Sequence, residues 1–80
     1  MDVDTEDKGR ILLDEEVFVQ LTSNKGWDTD VKRAEAIGVT PTTVYRLRKG
    51  LNSPSTQLIY ELPELLGVRT RVLFYREKKS

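Results

Sequence analysis

The chain has 80 residues, of which 38 % are hydrophobic and 32 % are charged, a composition typical of one small globular domain. It contains no cysteine and no histidine, so disulfide bridges, thiolate chemistry and the common Cys/His zinc sites are excluded. The 13 basic and 13 acidic residues balance, yet residues 1–39 hold five basic and ten acidic ones, and residues 40–80 hold eight basic and three acidic ones. The balanced total therefore conceals a polarised molecule, and a side that gathers the cations would attract a polyanion.

Both termini are predicted to be polar tails. Residues 1–8 carry five charges and no apolar pattern, so we expect a disordered acidic tail there and a short basic tail over 78–80. The acidic start is opposite in charge to a signal or transit peptide. No apolar run approaches the roughly 20 residues that span a bilayer. We therefore expect a cytoplasmic protein that has no membrane partner.

Two elements are predicted before residue 27. The apolar run 10–13 is too short for a helix and favours a brief strand. Asp14 is a good N-cap for a first helix, because its side chain can accept a hydrogen bond from an unpaired first-turn amide. The apolar face of that helix comprises Val17, Phe18 and Leu21. Residues 24–26 end it, since Gly26 suits a left-handed exit.

Two further short helices are predicted around a tight turn. The second helix begins at residues 28–30 and ends at Gly38, with an apolar stripe made of Val31, Ala34 and Ile37. The third helix begins with Thr40 as N-cap and Pro41 at the first position, where the missing N–H costs nothing. Val44 and Leu47 would point inward, and Gly50 closes this helix.

The last third of the chain predicts one more helix and a second strand. The fourth helix begins at Ser53 with Pro54, or at Ser55 alone, and its apolar stripe comprises Leu58, Ile59, Leu62, Leu65 and Leu66. Pro63 predicts a kink or an early end, because it removes one helical hydrogen bond. Residues 69–77 favour a strand antiparallel to 10–13, and a helical turn around 71–74 is the alternative.

Residues 29–50 form the most informative unit. Two short helices joined by a turn of about four residues with a glycine are typical of the helix-turn-helix, whose second helix enters the DNA major groove. The residues that support this arrangement by size or conformation are Ala34, Gly38, Val39, Val44, Leu47 and Gly50. We predict a mainly α, compact four-helix domain over residues 9–77, closed by a short antiparallel ribbon of its N- and C-terminal segments.

The stretch from Thr29 to Gly50 resembles the helix-turn-helix of the Cro/phage-repressor (XRE-like) family. Asn52-Ser-Pro54 resembles the Asn-Pro that opens the family's next helix, and Leu65-Leu-Gly-Val68 resembles its usual end. Gly26-Trp-Asp-Thr-Asp30 is similar to small regulators of actinobacteria and their phages, as are Ile11-Leu-Leu-Asp14 and Leu73-Phe74. The resemblance implies operator binding in a bacterial transcription switch, usually as a homodimer.

Two positions depart from the family pattern. Arg33 stands just before Ala34, where the family normally has an aliphatic residue. Its stem can run along the edge of the core, or the helix is slightly rotated. Pro63 interrupts a helix that is usually unbroken. Neither change removes the motif.

The predicted DNA-contacting residues lie on or near the third helix. They are Thr29, Thr40, Pro41, Thr42, Thr43, Tyr45, Arg46, Lys49 and Asn52. Arg46 is the best candidate for reading a base, because a guanidinium can pair with O6 and N7 of guanine. Thr29 would cap a helix whose N-terminal amides can hold a phosphate. Two alternatives remain open for Arg48: it contacts a phosphate, or its side chain projects away from the groove.

Several other residues have simpler interpretations. Trp27 is predicted to cover the small core. Arg69, Arg71 and Arg76 are predicted to neutralise the acidic N-terminal region, with DNA contact as the alternative.

Three functions compete at this point. The first is a transcription regulator that binds double-stranded DNA without a cofactor, a metal or any catalytic residue. The second is an antitoxin-like module that uses the motif mainly to hold a protein partner. The third is an accessory DNA-binding factor in phage excision. An enzyme is not expected, because the chain has no histidine, no cysteine and no glycine-rich phosphate loop.

Overall fold

The structure is a computed structural model that describes residues 9–77. In chain order its elements are β1 (Ile11–Leu13), α1 (Glu15–Asn24), α2 (Asp30–Ile37), α3 (Pro41–Arg48), α4 (Thr56–Leu66), α5 (Thr70–Leu73) and β2 (Phe74–Arg76). The predicted fold class is confirmed: a mainly helical domain is closed by a two-stranded ribbon. The tails predicted over 1–8 and 78–80 lie outside the described residues.

Side-chain caps set the start of each of the four longer helices. The capping residues are Asp14, Thr29, Thr40 and Ser55, and each accepts a hydrogen bond from the amide three residues further on. These bonds satisfy first-turn N–H groups that have no partner within the helix. Pro41 occupies the first turn of α3, as predicted. The alternatives for the start of α4 are decided in favour of Ser55.

The two terminal segments pair as an antiparallel ribbon. The register joins Ile11 to Arg76, Leu12 to Tyr75 and Leu13 to Phe74. Beyond the strand, the amide of Glu77 donates to the carbonyl of Arg10 over 2.7 Å. The two alternatives for residues 69–77 both occur, one after the other, because a single helical turn, α5, precedes β2.

The core receives side chains from the ribbon and from all five helices described within residues 9–77. Its buried members are Leu13, Phe18, Ala34, Val44, Leu47, Leu58, Leu62, Leu66, Leu73 and Phe74. Ala34 lies where α2 packs against α3, and a small side chain there allows a close crossing. Trp27 is half-buried and packs against this core, as predicted.

Two predicted core positions are wrong. Val31 is 56 % exposed, and Arg33 is buried in its place, so α2 is rotated relative to the predicted stripe. Leu65 is 40 % exposed because α4 faces the core through Leu58, Leu62 and Leu66, which are four residues apart. Leu65 instead borders an open groove between α2 and α4.

Of the two alternatives predicted for Pro63, a kink or an early end of α4, the early end is wrong. The helix continues through Pro63 to Leu66, and Gly67 ends it with a left-handed φ of 72°. Proline removes one amide donor from the helix, and Pro63 is nevertheless one of the buried residues of α4. Within residues 9–77, none of the helices is both long enough and apolar enough to span a membrane.

Candidate nucleic-acid interface

The link between α2 and α3 has the geometry that the sequence predicted. Gly38 adopts a left-handed φ of 91°, which a residue with a side chain would adopt only with strain. The amides of Gly38 and Val39 both donate to the carbonyl of Ala34, over 2.8 and 3.0 Å. Thr40 then caps α3 directly. Three residues therefore separate the two helices, and the turn holds α3 in one fixed direction against α2.

The third helix has one buried and one exposed side. Val44 and Leu47 are 0 % and 4 % exposed and pack into the core, as predicted. The exposed side carries Pro41, Thr42, Tyr45, Arg46 and Lys49. Among the ion pairs within residues 9–77, none includes Arg46. A guanidinium on an exposed helix face can donate hydrogen bonds to phosphate or base oxygens.

The two ends of α3 differ in how their polar groups are used. At the start, the hydroxyls of Thr40 and Thr43 lie 2.9 Å apart and share a hydrogen bond, while the Thr43 amide donates to Thr40 over 3.2 Å. At the end, the Lys49 ammonium lies 3.5 Å from a carboxylate oxygen of Glu15. Part of the Lys49 charge is therefore neutralised within the chain.

The remaining predicted residues flank α3. Asn52 is exposed in the loop that follows the helix. Asn52 and Thr43 line one hollow of about 300 Å³, together with Gly38, Ser53 and Ser55 among others. Thr29 is exposed at the N-terminus of α2, where its hydroxyl accepts from the Lys32 amide over 3.2 Å. Eight of the nine predicted residues thus lie on α3, at its caps or in the loop that follows it, and Thr29 lies at the N-terminus of α2.

Arg48 points away from the exposed side and binds two carboxylates. Its Nε and Nη2 atoms donate to the two oxygens of Asp30, each over 2.9 Å, and its Nη1 atom donates to Glu15 over 2.6 Å. Only 17 % of the side chain is exposed. The choice left open for Arg48 is therefore decided in favour of an intramolecular position.

The same carboxylate of Asp30 also receives a second arginine. Arg33 donates to Asp30 over 3.2 Å and to the hydroxyl of Thr22 over 2.8 Å. The buried Thr22 hydroxyl in turn donates to the carbonyl of Phe18 over 2.8 Å. The prediction for Arg33 placed only its aliphatic stem along the edge of the core. In the structure its guanidinium is buried and paired as well. We call Glu15, Asp30, Arg33 and Arg48 the Asp30 cluster.

Two members of the Asp30 cluster, Asp30 and Arg48, have shifted pKa values. The hydrogen bond from Arg48 is the largest cause that holds the pKa of the Asp30 carboxyl below its ordinary value of 3.8, and burial acts in the opposite direction. The hydrogen bond with Asp30 likewise raises the pKa of Arg48. Sequence reasoning missed the cluster. The available signal was an arginine at an apolar position of α2 with an aspartate three residues earlier.

Three arginines were predicted to neutralise the acidic N-terminal region. Arg69, Arg71 and Arg76 are exposed, and no ion pair within residues 9–77 includes them. Most of that acidic region lies in residues 1–8, outside the described part of the chain. At this end of the ribbon, Arg10 forms an ion pair with Glu77 over 3.3 Å.

Comparison with known proteins agrees with this geometry. A family model described as helix-turn-helix matches residues 34–73, which is half of the chain. The matched region begins within α2 and includes all of α3, α4 and α5. Neither the search of curated proteins nor the search of solved structures found a match. The chain therefore belongs to the Cro-type, XRE-like helix-turn-helix family of DNA-binding regulators.

Proposed function

We propose that this protein is a sequence-specific transcription regulator that inserts α3 into the major groove of an operator. The observation that carries the proposal is the division of α3 into two sides. Val44 and Leu47 anchor one side in the core, and the other side presents Arg46 without an internal ion pair among the described residues. A major groove is about 12 Å wide and admits one such helix.

The exposed residues take complementary roles in this proposal. Arg46 reads guanine through O6 and N7, and Thr42 and Tyr45 contact base edges or nearby phosphates. Thr40, Pro41 and Thr43 form the end of α3 that lies deepest in the groove. Lys49 and Asn52 meet the backbone where the chain leaves α3. Thr29 presents the N-terminal amides of α2 to a phosphate.

A homodimer on DNA is part of the same proposal. A domain of this size gains affinity and specificity when two copies bind half-sites about one helical turn apart. The fourth helix and the terminal ribbon are the candidate dimer surfaces. Large apolar side chains are exposed on α4, α5 and β2: Tyr60, Leu65, Val72 and Tyr75. Exposed apolar groups of this kind favour a protein contact.

Selection of bound DNA from a random duplex pool tests the proposal directly. We expect enrichment of one sequence with two related half-sites about 10 base pairs apart. A pool that remains random after repeated selection would overturn the regulator assignment. Footprints of the protein at phage attachment sites, and not at promoters, would support the excision factor.

Arg46→Ala then tests the assigned base contact. It should lower discrimination between the selected site and random DNA by about 1–3 kcal/mol, because one bidentate base contact is lost. Arg71→Ala is the matched control, since it removes the same charge from an exposed arginine on α5. If Arg46→Ala binds as selectively as the parent protein in a competition assay, the assignment of Arg46 is wrong.

One observation favours the antitoxin-like module as a second candidate. The open groove between α2 and α4 measures about 410 Å³, has Ile37 and Leu65 among its apolar lining, and is bordered by Glu61 and Glu64. An apolar groove with an acidic rim suits a basic amphipathic segment of a protein partner. Recovery of one stoichiometric protein partner, combined with no DNA binding at low salt, would favour this function over the regulator.

A further inference from the structure

We propose that Asp30 and Arg48 are positioning residues that determine the specificity of the DNA interface without touching DNA. This inference rests on the proposed function, because it concerns how the reading side of α3 is held. The established helix-turn-helix geometry fixes the start of α3 through Thr40 and the turn. The Asp30 cluster fixes its other end.

The geometry of Arg48 makes it a brace between three helices. All three guanidinium nitrogens donate to carboxylates, two of them to Asp30 at the start of α2 and the third to Glu15 at the start of α1. A bidentate pair of this kind fixes direction as well as distance. Three of the five N–H donors of this guanidinium are already given to carboxylates, so a DNA phosphate would have to compete with Asp30 and Glu15 for it. Arg48 therefore acts on α3 from inside the molecule.

Asp30 is itself held in place from a second direction. Arg33 donates to it and is anchored on the buried hydroxyl of Thr22 in α1. The carboxylate thus cannot follow Arg48 if α3 rotates. A rotation of α3 about its own axis would instead break the paired bonds, so the cluster resists the motion that would misdirect the exposed side.

Arg48 also lies next to Tyr45, one of the predicted DNA-contacting residues. The Arg48 guanidinium lies 5.7 Å from the centre of the Tyr45 ring, and Tyr45 is 47 % exposed. A cation at this distance attracts the ring and restricts its orientation. The same clamped group therefore positions both the helix and one of the side chains that reads DNA.

The first test compares Arg48→Lys with Arg48→Gln. Lysine keeps the charge but loses the planar fork, so both variants should lose the brace. We expect each to reduce the ratio of affinities for selected and random DNA by about tenfold, the effect of one misplaced base contact. The dependence of random-DNA affinity on salt should stay unchanged, because no phosphate contact is removed.

A different outcome would overturn the proposal. If Arg48→Lys discriminates like the parent while Arg48→Gln loses affinity for both DNAs and reduces the salt slope by about 0.9, Arg48 is a phosphate contact. Circular dichroism in the binding buffer confirms that each variant is folded. If the parent protein itself does not distinguish selected from random DNA, the proposed function is wrong. Failure of the positioning role alone would leave that discrimination intact in the parent protein.

Asp30→Asn provides an independent variant with a matched control. Asp28→Asn makes the same charge change next to the same helix, but Asp28 is exposed and is paired with Lys32. Asp30→Asn should lose discrimination about tenfold, whereas Asp28→Asn should stay within about twofold of the parent. Equal effects of the two variants would contradict a specific role of the Asp30 carboxylate.

A double-mutant cycle tests whether Arg48 affects DNA discrimination through Tyr45. In the Tyr45→Ala background, Arg48→Lys should cost clearly less discrimination than it does in the parent, because the ring it positions is absent. A purely stabilising role of Arg48 would leave the two costs equal. Equal costs would therefore overturn the part of the proposal that connects Arg48 to Tyr45.

Discussion

The two sides of α3 use the same residue type in opposite ways. Arg46 and Arg48 are two positions apart, and two helical residues point about 200° apart around the axis. Arg46 faces outward, with no ion pair within residues 9–77, whereas Arg48 is held by Asp30 and Glu15. In the proposed function, an arginine on α3 therefore reads DNA or braces the helix according to the carboxylates around it.

In the sequence, Leu47 stands between these two arginines, and we call it the apolar anchor of α3. Leu47 is buried on the inner side, so α3 is held by apolar contact along its length and by ion pairs at its end. Apolar contact is not directional, whereas a bidentate ion pair is. The core should therefore dominate stability, and the cluster should contribute more to orientation than to stability.

The largest expected effect comes from the apolar anchor. Leu47→Ala should lower the free energy of unfolding by about 2–5 kcal/mol, because it leaves a cavity in the core. Leu51→Ala is the control, since Leu51 is 60 % exposed just after α3 and its loss should change stability by no more than about 0.5 kcal/mol. Urea denaturation measures both. Similar values for the two variants would mean that the inner side of α3 is not packed as described.

A smaller effect is expected from the buried arginine of α2. Arg33→Ala leaves the hydroxyl of Thr22 buried without its donor and should cost about 1–3 kcal/mol in unfolding free energy. Asp30 keeps Arg48 as a partner, which limits the loss. The neighbouring Lys32→Ala serves as the control, because its pair with Asp28 is exposed and should contribute about 0–1 kcal/mol. Urea denaturation that finds Arg33→Ala no more destabilising than Lys32→Ala would contradict the buried network.

The smallest expected effect is the pH dependence of the Asp30 cluster. Arg48 holds the pKa of Asp30 below 3.8, the value expected in the unfolded chain. The stabilisation is therefore complete above pH 3.8, and it decreases as the pH falls through the lower pKa of the folded state, because the unfolded carboxylate takes up its proton first.

The difference in unfolding free energy between the parent and Asp30→Asn should consequently shrink below about pH 4. Urea denaturation at neutral pH and near pH 3 measures this difference. A difference that stays constant over that interval would show that the charge of Asp30 does not act through its pairing with Arg48.

Much of the fold and of the exposed interface was predictable because its causes are local. Each cap accepts from an amide only three residues away, and Gly38 ends α2 through its own conformational freedom. The exposed positions of α3 follow from helical periodicity once Val44 and Leu47 are taken as the inner side. The same reasoning predicted the pairing of the ribbon from two short apolar runs.

The sequence alone thus determined where most helices begin, where the turn lies and which side of α3 faces outward. The tertiary structure decided the roles of Arg33 and Arg48, because each has a partner on another helix that only folding brings close. Arg48 binds Asp30 and Glu15, which precede it in the chain by 18 and 33 positions. It also decided that α4 continues past Pro63 and that Val31 and Leu65 lie outside the core. In each case packing between distant segments outweighed a local preference, because burial and ion pairing depend on which surfaces meet.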